Sequence, residues 1–184
     1  MITFTISIIL PYFFIESMIK SLIKSIIILP VTSALFIPML LLFVTSSFVG
    51  EKISISLNVF TLSISFCFFV IGFYLGGVTT YLFFKVGKGT PAPWDPPKKF
   101  VVAGPYRYLR NPMILGMYCI LLGEAFLFWS LSLFFWLVIF FIANAVYIPL
   151  VEEKALLRRF GNDYAVYMNN VRRWIPRLTP WKKK

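Results

Sequence analysis

The residues best placed for chemistry stand at the ends of two long apolar runs. Arg110-Asn111-Pro112 opens the run Pro112 to Phe128, and Glu152-Glu153 closes the run Leu131 to Val151. Only Trp129-Ser130 separates the runs, so they are expected to fold back as an antiparallel helical hairpin whose far ends meet. Arg110, or the backbone N–H groups of a helix opening on Pro112, can receive a carboxylate or another anion. Glu152 or Glu153 can receive an ammonium or a ribose diol, and Tyr106 can stack on an adenine or lie near a sulfonium. Together they suit a zwitterionic ligand. The same charges would equally form an ionic network that pins the hairpin ends with no ligand at all.

What is missing narrows the chemistry further. The chain has no histidine, which removes Ser-His-Asp and Cys-His catalysis and every histidine-containing metal site. Cys67 and Cys119 both lie inside apolar runs, where cysteine packs as a small hydrophobe, so no disulfide framework and no metal site is expected. Of 184 residues, 59% are hydrophobic and 14% charged, with a mean hydropathy of +0.84. A water-soluble domain averages about 45–50% apolar and about 25% charged. Disorder is excluded on the same ground. The net charge of +11 points to anionic lipid headgroups and membrane topology, not to nucleic acid.

The elements that must position these residues are membrane helices. Ile26 to Val49 and Leu57 to Phe84 carry no charge and are long enough to span, and the two hairpin runs make four long spans. Met1 to Ile15 is short, holds Pro11 and is followed by Glu16; it can span or lie in the interface, a short fifth span being the favoured expectation, with no cleavable signal. Seventeen of the 18 basic residues then fall on one face, Lys52 being the exception. The positive-inside rule makes that face cytoplasmic, with the C-terminus on it.

The loop from Lys85 to Arg110 is broken by Gly87, Gly89, Pro91, Pro93, Pro96 and Pro97, with Trp94 and Asp95 among them. It reads either as a connector anchored by tryptophan or as a flap over a site. Beyond Glu153, Leu156, Leu157 and Phe160 follow at helical spacing, Gly161 can end that helix, and Asn162 or Asp163 can cap the next. Tyr164, Tyr167, Met168 and Val171 give a second apolar stripe, and the basic amphipathic tail is expected to lie on the membrane surface. Gly72 and Gly76, and Gly116 and Gly123, mark close helix approach, or room left for a cofactor or lipid tail. Glu124 is the one acid well inside an apolar run, near the outer hairpin.

Gly104-Pro105-Tyr106, Arg110, Pro112, Gly116, Glu152-Glu153, Phe160-Gly161, Tyr164, Tyr167, Arg173 and Pro176 occur in an order that resembles the isoprenylcysteine carboxyl methyltransferase and phospholipid methyltransferase superfamily. The resemblance covers roughly residues 85–177. Asn111 stands where that superfamily has histidine, and Ile114 where it has tyrosine; asparagine can hydrogen-bond a cofactor but cannot titrate. The resemblance implies an all-α polytopic membrane enzyme. Residues 1–84 would form N-terminal transmembrane helices, and residues 85–184 a core with the hairpin 112–151 and a tail that covers the cofactor. It implies S-adenosylmethionine, bound from the cytosol near Pro105, Tyr106, Arg110, Asn111, Pro112, Gly116, Glu152, Glu153 and Tyr164. It implies a lipophilic acceptor entering from the bilayer: a lipid or a prenylated molecule, methylated on a carboxylate or an amine. An ionised carboxylate needs no general base, only in-line approach and exclusion of water. An amine must lose a proton, which Glu152 or Glu153 could take. Arg173 could position an acceptor carboxylate, or bind lipid phosphate. The competing readings are a nicotinamide-dependent membrane reductase of the sterol reductase type and a non-catalytic membrane protein on the same scaffold.

Overall fold

The structure, a computed structural model, describes residues 27–48, 55–56, 58–91 and 95–182, together with Lys20 and Lys24. The expected short span over residues 1–15 lies outside them, as does Trp94. Among the described residues every regular element is helical. Helix α1, Ile37–Phe48, continues a π-helical stretch, Ile27–Phe36, that contains Pro30. Helix α2, Val59–Leu82, starts where the Asn58 side chain accepts a hydrogen bond from the Phe60 N–H at 2.9 Å. A π turn, Phe83–Gly87, prolongs it to Lys88, whose φ of 55° breaks the helix.

The hairpin follows. Helix α3, Pro112–Phe128, opens on a proline, whose missing N–H costs nothing in the first turn. Trp129 turns the chain at φ 44°, and the Ser130 hydroxyl accepts from the Leu133 N–H to start α4, Leu131–Tyr147. Pro149 cannot donate to the helical ladder, and a wider π turn, Ile148–Glu152, carries the chain past it. The helix therefore does not stop at Val151: it continues as α5, Glu153–Phe160, and the glutamate pair lies at the junction. Gly161, at φ 55°, ends α5 and itself occupies the N-cap of α6, Asn162–Asn170; neither Asn162 nor Asp163 does so.

Among the described residues three helical stretches are long and apolar enough to cross a membrane: Pro30–Phe48, Val59–Gly87 and Leu131–Phe160. The fourth expected span, Pro112–Phe128, is apolar but has only 17 residues. That is about 25 Å of helix, against a hydrocarbon core of about 30 Å. Large apolar side chains such as Phe60, Phe66, Phe73, Phe135 and Ile142 are exposed along the longer helices, as lipid-facing surfaces require.

The closest packing is between α2 and α3. A Cβ placed on Gly72 would lie 2.8 Å from the Gly116 carbonyl oxygen, and one on Gly116 3.0 Å from the Gly72 carbonyl oxygen. One on Gly123 would meet the Phe69 ring at 3.0 Å. These glycines let two backbones touch. The space that Gly116 leaves is filled by α2, so it offers no room to a cofactor there. Toward the hairpin turn, Leu42, Ala125 and Leu133 join α1, α3 and α4. At the opposite end, Tyr164, Tyr167 and Val171 gather Phe100, Phe160 and Trp181 into a second core.

Candidate functional site

Chain reversal at Trp129 brings Arg110 and the glutamate pair together at the far end of the hairpin. Arg110 Nη1 lies 3.0 Å from Glu153 Oε1. The tail completes the cluster. Arg173 donates from Nε to Glu153 Oε1 at 2.9 Å and from Nη2 to Oε2 at 2.7 Å, a planar bidentate pair. Glu153 is buried and both its oxygens are engaged. The hydrogen bond and the adjacent charge of Glu153 raise the Arg173 guanidinium above its ordinary value.

Glu152 is placed differently. It is half-buried and makes no ion pair or side-chain hydrogen bond to any described residue. Its charge is felt at the Tyr106 hydroxyl, which burial above all, then Tyr167, then Glu152 push well above the usual phenol range. Tyr106 is buried and stacks on Phe83 with ring centres 5.4 Å apart. Its carbonyl accepts a 2.6 Å hydrogen bond from the Tyr167 hydroxyl. Pro105 starts the short 3-10 turn Gly104–Arg107 that carries Tyr106, and Gly104 supplies the φ of 51° at its entrance. Burial raises the Tyr164 hydroxyl, Glu153 adds to the shift, and Arg110 opposes it, so this phenol belongs to the same cluster.

The segment after α6 runs back across the loop before α3. The Arg110 N–H donates to the Arg172 carbonyl at 3.0 Å, the Arg177 N–H to the Tyr108 carbonyl at 2.9 Å, and the Trp181 N–H to the Arg107 carbonyl at 2.9 Å. Arg107 Nε returns a bond to the Trp181 carbonyl at 2.9 Å. The Asn111 amide reaches the Arg173 carbonyl at 3.5 Å, and Pro112 is buried beneath. The tail is thus a strap, and its backbone is what delivers Arg173 to Glu153. An open hollow of about 320 Å³ lies beside the strap's end, lined by Val102, Ala103, Gly104, Arg107, Trp181 and Lys182. The loop before it is held too: Lys98 and Lys99 N–H groups donate to the Gly87 carbonyl, and Phe100 seats its ring against Phe160, Tyr164 and Tyr167.

Arg110, Glu153, Tyr164 and Arg173 therefore converge, with Asn111 tied to the strap beside Arg173. Glu152 acts on Tyr106 alongside, whereas Gly116 faces α2. Sequence reasoning missed two things. One is the role of Tyr167 as the clamp on the Tyr106 carbonyl, although its i+3 spacing from Tyr164 puts both on one face of α6. The other is the strap pairing, which has no local signal.

Arg110 holds the one polar imbalance of the cluster. Its Nε and Nη1 are buried yet neither makes a hydrogen bond to any described residue, the Nη1 contact with Glu153 being ionic only. Buried donors left open in this way favour a ligand oxygen. No metal-binding cluster of histidine, cysteine, aspartate or glutamate occurs among the described residues.

No curated protein and no solved structure matches the chain. The phospholipid methyltransferase family model matches residues 66–163, from the middle of α2 through the hairpin and the glutamate pair to the start of α6. That stretch is more than half of the 184 residues and holds Arg110 and its ion pair with Glu153. The chain is a member of the phospholipid methyltransferase family.

Proposed function

We propose that this protein is an integral membrane methyltransferase that moves a methyl group from S-adenosylmethionine to the amine of a membrane lipid. The observation that carries the choice of acceptor is the division of labour in the glutamate pair. Arg110 and Arg173 are both spent on Glu153, whereas Glu152 has no cationic partner among the described residues. The cluster thus has a carboxylate to spare, while the arginine donor it leaves open, Arg110 Nε, is the one that the carboxylate of the methyl donor would occupy. That balance suits a cationic or amine acceptor and disfavours the carboxylate of an isoprenylcysteine.

The open Nε of Arg110 fits the carboxylate of a zwitterionic donor, with Tyr164 in the same cluster and Tyr106 and Asn111 on the segment that carries Arg110. S-adenosylmethionine would supply a methyl on a sulfonium, whose sulfur leaves as a neutral thioether as the acceptor nitrogen bonds to the methyl carbon. Glu152 draws in the lipid ammonium and takes the proton it must shed before nitrogen can act as a nucleophile. Glu153 holds Arg110 and Arg173 in register. Beneath the strap the Arg110 and Glu153 side chains are only 10% and 7% exposed, and that dryness strengthens their interactions.

The test uses purified protein in lipid nanodiscs. Calorimetry should show binding of S-adenosylhomocysteine, and labelled methyl should pass to phosphatidylethanolamine and not to a farnesylated cysteine. Transfer to the farnesylated cysteine alone would overturn the acceptor. No binding of S-adenosylhomocysteine would overturn the methyltransferase reading in favour of a scaffold held by a purely structural ion network.

A further inference from the structure

A second orphaned polar group lies away from the arginines. Tyr118 projects from α3 into an aromatic cluster built from three parts of the chain. Its ring centre is 5.6 Å from Phe140 and from Phe141 of α4, and 5.9 Å from Trp174 of the strap. Trp174 also packs on Phe141, at 5.8 Å. Within this cluster the Tyr118 hydroxyl is buried and has no hydrogen-bond partner among the described residues. A phenylalanine would fill the same space without stranding a hydroxyl, so packing alone gives no reason for tyrosine.

Position suggests the partner. Tyr118 lies six residues into α3 from Pro112, about 9 Å along the helix. The headgroup layer is about 5–7 Å deep on each side of the hydrocarbon core. With Arg110 at headgroup level, the Tyr118 hydroxyl sits where a diacyl lipid carries its ester carbonyls. Trp174, the group that covers it from the strap, is the residue next to Arg173. The indole of Trp174 makes no hydrogen bond to any described residue; ring contacts seat it over the phenol.

We infer that Tyr118 is a specificity residue for the acceptor: its hydroxyl donates to an ester carbonyl of the lipid when the lipid displaces Trp174. This rests on the lipid-amine reading above. It adds that the enzyme recognises the ester-linked glycerol backbone as well as the amine.

The experiment compares diacyl phosphatidylethanolamine with its dialkyl ether analogue, which lacks both carbonyls, for the native protein and Tyr118→Phe in nanodiscs. The native protein should show a KM about fivefold or more lower for the ester lipid, the worth of one hydrogen bond. Tyr118→Phe should lose that preference, with kcat and S-adenosylhomocysteine affinity unchanged. Its melting temperature should not fall, because the hydroxyl removed has no partner. An equal ester preference in both proteins, or none in the native one, overturns the inference and leaves the methyltransferase reading standing. A native protein that methylates neither lipid overturns both.

Discussion

Glu153 and Glu152 are neighbours with opposite tasks, and the difference lies in what each can reach. Glu153 is buried between two guanidinium groups, so its removal leaves both cations uncompensated. We expect Glu153→Ala to lose about 3–5 kcal/mol of stability, as breaking a buried ion pair does; thermal melts in detergent will show it. Glu152 holds nothing in place among the described residues. Glu152→Gln should therefore melt within about 0.5 kcal/mol of the native protein. It should bind S-adenosylhomocysteine normally, and transfer methyl at least about a hundredfold more slowly to an amine. Equal activity would show that the proton goes elsewhere.

The buried phenols at the site carry a pH signature. Burial raises Tyr106, Tyr164 and Tyr167 in the fold, whereas the unfolded chain exposes them at their ordinary value. Below about pH 10 the phenols are neutral in both states, and their contribution is intact. Above it the unfolded chain ionises first, so stability falls as pH rises. A pH series of melting temperatures should be level with respect to these groups up to about pH 10 and decline beyond it.

At the scale of elements, the contact between α2 and α3 decides whether the hairpin stands correctly on the rest of the bundle. The glycines of α2 are not equivalent. A Cβ on Gly72 would stand 2.6 Å from Ile120 Cγ1 and 2.8 Å from the Gly116 carbonyl oxygen, whereas one on Gly76 would meet nothing within 4 Å. Gly72→Ala should cost about 1–3 kcal/mol through overpacking against backbone. Gly76→Ala should be neutral or slightly stabilising, because it also raises helix propensity. The pair of melts separates a specific contact from a general dislike of larger residues in the motif. The strap is the other decisive element. Three backbone hydrogen bonds from its far side carry Arg173 to Glu153, so its geometry is set by main chain and is insensitive to most side-chain changes.

For the whole molecule, the apolar helices and the family place the protein in a membrane, and the charge distribution predicts which way it faces. Seventeen of 18 basic residues share one face if the hairpin and the two preceding helices all cross. We expect the C-terminus to be cytoplasmic. A C-terminal fluorescent fusion should be bright and a C-terminal alkaline phosphatase fusion inactive; the reverse would place the Arg110 cluster on the outer side. At 17 residues, α3 crosses only if the bilayer thins or its ends draw the headgroups inward, which the arginine at its start favours.

Much of this was legible from residue order. Arg110-Asn111-Pro112 and Glu152-Glu153 flank two apolar runs joined by two residues, and helix geometry leaves those ends little choice but to meet. The all-α class follows from the same runs, because only structures that satisfy their own backbone polar groups persist in lipid. What needed the tertiary structure was the pairing of particular atoms. Nothing local in the chain distinguishes Glu152 from Glu153: the π turn past Pro149 and the path of the strap decide which one Arg173 reaches. Nor does the apolar stripe of α3 say that Gly116 turns to α2 while the Tyr118 hydroxyl is left unpaired under Trp174. Periodicity tells which residues can share a helix face, but the partner of that face is chosen by long-range packing, where a shift of one residue exchanges a contact for open space.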